Sequence, residues 1–462
     1  MAAKRVKMFE GINKEEYECG DMDRISKLPD FVIHHILSFL PTIDVVRISL
    51  LSKRWRHMWY LVPTTNLRDV HFQGDKKECF KKFVDKYLKW RKIGTRYIVD
   101  SFITRFTLEM SYHGGKNRVD KWLNSVDKIK LYELDLCITP VYHKKGDFYC
   151  LPEATLNAKS LTILKLDGLK MEGPFQLSLP SLKILSLKNI VALNDHSLED
   201  LLANFPFLES LVLQTCKDLS SPRVSSSCLK SFEVQLASHQ TIKVEATNLR
   251  SLDVWSCCEI SLAAACVSLK RLSLFYLEFD DRWFKDLTRG YSFESLTLLE
   301  CYGWKNISVE SRDLKNLVIS IRTRPQEEGQ VIRIDAPNLV SFTCKTWDVK
   351  LYHMSLNFSN LLVCDINIVG CRPYDSNWYV NLVGLLSKIS GSKNICLRVD
   401  SEKALIFPKN LRSMFRSSLL ALEQVKVKSS SPLSKSSDVR DTFYWLSPSL
   451  KSFSIEHDRH CY

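Results

Sequence analysis

No stretch of this 462-residue chain approaches the length of a membrane span. The opening residues, Met1–Glu18, are rich in charge where a secretory signal would be apolar, so no export is expected. Catalytic signatures are missing as well: there is no glycine-rich phosphate loop, no GxSxG and no HExxH. The fifteen cysteines contain no CxxC pair, which weighs against a zinc site. Their odd count and scatter weigh against a disulfide framework, leaving reduced thiols packed as small hydrophobes. His34 and His35 lie side by side on an apolar helix and read as packed or surface side chains, not ligands. Nor does a zinc-finger or aromatic-basic RNA-binding signature accompany the net charge of +13. The Lys and Arg are spread along the chain, so the charge reads as a solvated surface able to attract an acidic partner. These absences set the expectation: no enzyme, no metal, no cofactor, no membrane, and nucleic acid disfavoured.

What is present begins at Arg24–Trp59, which reads as three short helices. Leu28-Pro29-Asp30 opens the first, with Ile33, Ile36, Leu37 and Leu40 recurring at helical spacing. Pro41-Thr42 stops it and starts the second, with Thr42 as N-cap and Ile43, Val46 and Leu50 as the apolar stripe. Ser52 caps the third, where Trp55, Met58 and Trp59 share a face. So short a stretch cannot bury that many large groups alone, and it has no cysteine to staple it. Beyond it, Glu78–Lys92 carries Phe80, Phe83, Val84, Tyr87 and Leu88 as an amphipathic helix.

From about residue 103 a unit repeats: apolar, two others, apolar, one other, apolar. It runs through Ile103/Phe106/Leu108, Leu161/Leu164/Leu166, Leu229/Phe232/Val234, Leu269/Leu272/Leu274 and Leu361/Cys364/Ile366, with starts 20 to 30 residues apart. That is the leucine-rich-repeat range, in which each unit supplies one strand and stacking supplies the core. Cys216 and Cys257 fall at or near the Asn/Cys site of such repeats, and Asp195–Asn204 reads as an outer helix. The rhythm breaks after Cys371. A longer helix over Asn377–Ser390, a strand over Ile395–Val399 and a serine-rich loop over Ser429–Ser437 follow, before the unit returns at Leu450/Phe453/Ile455.

Leu28-Pro29, the apolar helix after it, and Leu51-Ser52-Lys53-Arg54-Trp55-Arg56 with Trp59 resemble a plant F-box, and the whole layout resembles plant F-box proteins with leucine-rich repeats. The fold expected is α/β: a small three-helix F-box followed by a curved leucine-rich-repeat solenoid with parallel strands on its concave face. The divisions expected are a basic tail at 1–22, the F-box at 23–62, a helical linker at 63–100, repeats at 101–370 and an irregular closing region at 371–462. The resemblance implies a substrate receptor of a Skp–cullin–F-box ubiquitin ligase. Leu28, Pro29, Ile33, Ile36, Leu37, Leu40, Val46, Leu51 and Trp55 would hold the Skp-type adaptor and, through it, cullin and a RING subunit. The repeats would hold a target protein. A non-degradative repeat scaffold is the alternative. The segment Ala2–Lys7 resembles a short nuclear-import signal, so nucleus or cytoplasm is expected. The FBD block that many such proteins carry at the C-terminal end is not recognisable.

Residues flanking the buried strand positions face the concave side. Most are small and polar, but Trp255, Phe275 and Leu299 occupy one column in adjacent repeats, with Asp253 and Arg271 beside them. This apolar patch is the expected target contact.

Overall fold

The computed structural model describes residues 28–458 except 52, 73–76, 96–101, 127–128, 142–147, 153–155, 157, 172–178, 237–239, 256–258, 322–329, 347–353, 359–360, 370–373, 390, 414–421 and 432. Ala2–Lys7, Ser52 and Cys257 therefore lie outside the described residues. The chain divides into two compact units, one ending at Phe106 and one beginning at Thr107.

In the first unit, α1 (Asp30–Leu37), α2 (Thr42–Ile48) and α3 (Lys53–Met58) precede a strand, Thr64–Arg68, and a long α4 (Lys77–Gly94). Ile33, Leu37, Val45, Trp55, Met58 and Trp59 are buried, as are Phe80, Val84, Tyr87 and Leu88 of α4. Polar bonds tie the pieces together. Thr64 Oγ1 donates to the Ser38 carbonyl at 3.1 Å, Thr65 shares a bond with the Tyr87 hydroxyl at 3.1 Å, and Trp59 packs 5.4 Å from the Tyr87 ring. Arg54 pairs with Asp30 and donates to the Leu28 carbonyl at 2.7 Å, joining α3 to the start of α1. The three helices thus share a core with the strand and helix that follow them.

The second helix differs from expectation in two ways. Pro41 occupies the N-cap position, and Thr42 is the first helical residue. The Thr42 hydroxyl accepts the Asn66 backbone N–H at 2.7 Å instead of capping its own helix. That anchor turns Thr42, Val45 and Ser49 inward. Ile43 and Val46 are half-buried and Leu50 points out. A seven-residue helix carries too little periodic signal to outweigh one tertiary bond.

The second unit is the repeat array. Its strands pair in parallel, in chain order and without slippage, because one side of each is apolar and a one-residue shift would expose it. One row runs Phe232, Leu252, Leu272, Leu296, Leu317, Phe342, Cys364, Ile395, Val425, Phe453 through successive ladders. All but the last are buried. Phe453 is only half-buried, since its strand, Ser452–His457, has a neighbour on one side alone among the described residues.

The opposite layer is mixed. Helices Asp195–Ala203, Asp281–Gly290 and Ser376–Lys388 are capped by Asn194, Asp280 and Asp375, each accepting the backbone N–H three residues on. Elsewhere the expected outer helix is replaced by a second strand. Arg223–Ser225, Thr241–Glu245 and Glu259–Leu262 form one three-stranded sheet, and Asn306–Glu310, Val331–Asp335 and Met354–Asn357 form another. The reason is local: Thr241-Ile242-Lys243-Val244-Glu245 alternates with a period of two, buries Ile242 and Val244, and offers no helical face.

Near the C-terminal end, the serine-rich stretch is less loop than expected. The strand Gln424–Ser429 and the helix Ser436–Leu446 take both its ends. The connection is held by Glu402, a buried carboxylate whose Oε1 accepts the Ser434 N–H, the Ser434 hydroxyl and the Lys435 N–H at 2.7–2.9 Å.

The stack makes core substitutions position-dependent. Phe232→Ala, in the middle of the row, is expected to cost about 3–5 kcal/mol, and Phe453→Ala on the end strand less than half that. Urea midpoints of the two variants, compared with the parent chain, check the order.

Candidate protein-interaction surfaces

Two surfaces stand out, one in each unit. In the first, the helices leave four large apolar side chains in water: Phe31 is 75% exposed, Phe39 73%, Leu50 82% and Leu51 73%. Exposed groups of this size in consecutive helices and turns mark an interaction surface more often than chance scatter does.

The residues expected to hold an adaptor divide accordingly. Pro29, Ile36 and Leu51 are exposed, and Leu28, Leu40 and Val46 are half-buried. Ile33, Leu37 and Trp55 are buried within the unit, so they support the surface from below instead of forming it. Phe31, Phe39 and Leu50 were missing from the expected set. A helical stripe identifies apolar residues on the core side; Phe31 lies off it, Phe39 lies beyond the end of its helix, and Leu50, expected on the stripe of the second helix, falls past that helix's end at Ile48 and is exposed. His34 is half-buried; desolvation lowers its pKa, opposed by the nearby Asp30 carboxylate.

In the second unit the side chains on the open face of the parallel sheet fall into columns, because every ladder is in register. Gln235, Trp255, Phe275, Leu299 and Ser320 follow one another across five strands. Trp255 and Phe275 are stacked, with ring centroids 3.8 Å apart and planes 7° from parallel. Such a pair adds about 0.5–1.5 kcal/mol beyond its area and holds both rings rigid. Both rings and Leu299 remain half-exposed. Asp253 lies two residues before Trp255 on the same strand, and Arg271 opens the strand that carries Phe275. All five residues expected at the target contact are therefore on one face within three adjacent strands.

Just past the column the chain turns. Asn189, Thr215, Tyr276 and Glu300 have φ of 51–57°, and Gly168 sits at the equivalent place with φ 73°. At Gly168 a side chain is also excluded by contact, since a Cβ would lie 2.9 Å from the Ile138 carbonyl oxygen. One residue later the Cys216 thiol donates to the Leu187 carbonyl at 3.6 Å, and the Cys301 thiol to the Leu274 carbonyl at 3.3 Å. Each ties its turn to the preceding repeat. Cys301 stands six residues after its strand begins, as Cys216 does, so its role was readable from spacing alone. Burial pushes these thiols up, Cys216 to about 11 and Cys301 to about 12.

Parts of both units match known families. Residues 25–65 match the family model of the F-box domain. Residues 119–265 match the model described as "FBD-associated F-box protein At5g56370, LRR repeats". The homologues are F-box/leucine-rich-repeat proteins of Arabidopsis thaliana. "F-box/LRR-repeat protein 13" is 33% identical over 215 residues, which are 46% of this chain and 46% of that protein. "FBD-associated F-box protein At4g10400" is 36% identical over 194 residues, 42% of this chain and 45% of that protein. The chain spans about half the length of the curated relatives it matches. Among solved structures, "Crystal structure of TLR13-ssRNA13 complex" is matched at 15% identity and a TM-score of 0.32, over 73% of this chain and 47% of that one.

The open face also carries a thiol, Cys137, half-buried on the strand Glu133–Pro140. Burial pushes it up to about 12, with the Asp167, Glu109 and Asp135 carboxylates adding to the rise. At pH 8 it should hold roughly a thousandfold less thiolate than an ordinary cysteine. Iodoacetamide mapping by mass spectrometry should therefore label the exposed Cys79 and leave Cys137 largely unmodified.

Proposed function

We propose that this chain, with an F-box at its head and leucine-rich repeats after it, is the substrate receptor of a Skp–cullin–F-box ubiquitin ligase. The observation that carries the reading is the exposed set Phe31, Phe39, Leu50 and Leu51 within the segment that matches the F-box. In this reading the set, with Pro29 and Ile36, docks a Skp-type adaptor, which brings cullin and the RING subunit. The buried Ile33, Leu37 and Trp55 keep the docking helices in place. The repeats bind the target through the open face around Trp255 and Phe275, with Asp253, Arg271 and Leu299.

Such a receptor performs no chemistry. It raises the effective concentration of target lysines near the ubiquitin-loaded partner, which is proximity working for a reaction done elsewhere. Both surfaces suit that task. Exposed apolar groups that shed water on docking support a lasting contact with one adaptor, and a polar face with a rigid aromatic anchor supports selective contact with a target.

Two outcomes follow. Leu50→Asp with Leu51→Asp should weaken capture of the purified adaptor by about a hundredfold, the loss expected of central interface anchors. The melting temperature should stay unchanged, because both side chains are already in water. If adaptor capture persists, the chain is a repeat scaffold outside the ligase. Separately, Trp255→Ala with Phe275→Ala should abolish recruitment of targets found by proximity labelling under proteasome inhibition, and leave adaptor capture intact.

A further inference from the structure

We infer that the open face over the strands Ser231–Gln235, Ser251–Trp255, Arg271–Phe275 and Ser295–Leu299 receives an acidic segment of the target that carries an apolar side chain. The inference deepens the receptor reading above and rests on it. Elsewhere on this face several charges pair with one another. Lys165 pairs with Glu133 at 3.0 Å, Arg398 with Asp365 at 3.1 Å and Lys426 with Glu456 at 2.8 Å. Those stretches offer little to a ligand, because binding there would first break an existing pair.

The region around the aromatic stack differs. Lys230, Arg250 and Lys270 stand on consecutive rungs where the strands begin. The Arg250 N–H donates to the Lys230 carbonyl at 2.8 Å, and the Lys270 N–H to the Arg250 carbonyl at 3.0 Å. Their backbones therefore lie about 4.8 Å apart, rung to rung. Lys230 leans on Glu209 at 2.7 Å and Lys270 on Glu294 at 3.9 Å. The Arg250 guanidinium has no hydrogen-bond or ion-pair partner among the described residues, and neither does that of the exposed Arg271. Two guanidiniums are thus uncommitted at one end of these strands, and arginine's planar fork is suited to carboxylates.

At the other end of the same strands stand Trp255, Phe275 and Leu299. A five-residue strand puts the two ends about 13 Å apart. An extended segment lying along the strands spans that distance in about four residues. It would place a carboxylate on Arg271, with the exposed Arg250 one residue before the neighbouring rung at the edge of the face, and an apolar side chain on the stack. Between the ends, Asp253 is also uncommitted among the described residues and can accept a backbone N–H from the segment, while Glu233 is engaged by the Gln214 amide. The excess positive charge of the whole chain would draw an acidic partner in the same direction.

Single-stranded nucleic acid also combines negative charge with planar groups, but the geometry disfavours it. The two rings close on each other at 3.8 Å, leaving no slot between them for a base. Glu233 and Asp253, adjacent in register, would oppose a phosphate backbone crossing the face.

The test uses the full chain bound to its purified adaptor and fluorescein-labelled synthetic peptides read by anisotropy. One peptide carries paired glutamates and a leucine four residues later. A second has lysines for the glutamates, a third has serine for the leucine, and an oligouridylate is the fourth probe. Binding of the first peptide should weaken roughly tenfold on either replacement, and as much with Arg250→Glu plus Arg271→Glu or with Trp255→Ala. Lys428→Glu, on the distant strand Gln424–Ser429, should leave it unchanged. The inference is overturned if no peptide binds, if the lysine peptide or the oligouridylate binds as tightly as the first, or if the arginine reversals change nothing. These failures are separable from failure of the receptor reading. If Trp255→Ala with Phe275→Ala still abolishes target recruitment while the peptides fail, the face is right and the acidic class is wrong. If recruitment survives those substitutions, the face itself is wrong.

Discussion

The second unit leans on one backbone contact that recurs at four of its strands. The residue just past a strand gives its N–H to the carbonyl at the end of the next strand: Gly168 to Lys188 at 3.0 Å, Asn189 to Gln214 at 2.8 Å, Thr215 to Gln235 at 2.8 Å, and Tyr276 to Leu299 at 2.9 Å. To reach it, the donor adopts a left-handed conformation that costs a non-glycine residue about 1–2 kcal/mol. The hydrogen bond gained offsets part of that cost. At these four strands the contact ends the strand at the same place and supports its register with the next. The columns on the open face, and the stack of Trp255 on Phe275, follow from that register.

This also explains what could be read before any coordinates. In an in-register parallel array, a column in a written alignment of repeats is a column in space. Trp255, Phe275 and Leu299 could therefore be placed together from spacing alone, and so could the thiol positions, including the overlooked Cys301. The first unit has no such mapping. Which face of α2 turns inward depends on Asn66 meeting the Thr42 hydroxyl across twenty-four residues of chain. Apolar periodicity could not separate Ile33 and Leu37, which are core, from Ile36, which is exposed. The helix Ser436–Leu446 was obscured by its serine-rich start, although Val439, Thr442, Phe443 and Leu446 form a sound inward stripe.

The two surfaces are built on opposite principles. The exposed set of the first unit is apolar and lies over a small core made of several short elements, so its shape depends on bonds such as Arg54 to the Leu28 carbonyl. The open face of the second unit is polar, mostly self-paired, and carried on a stack that no single side chain on the face supports. The first would lose its form readily if its base were disturbed. The second would keep its form through many surface changes.

Alternation along the five-residue strands has a consequence for how such a repeat protein can change. Leu252 and Val254 belong to the interior, while Asp253 and Trp255 belong to the face. Folding and selectivity are therefore written in the same five letters but on separate tracks. A lineage can rewrite one track, residue by residue, while the other continues to be read unaltered. Duplicated copies of such a gene would then be free to diverge in what they capture long before they diverge in shape.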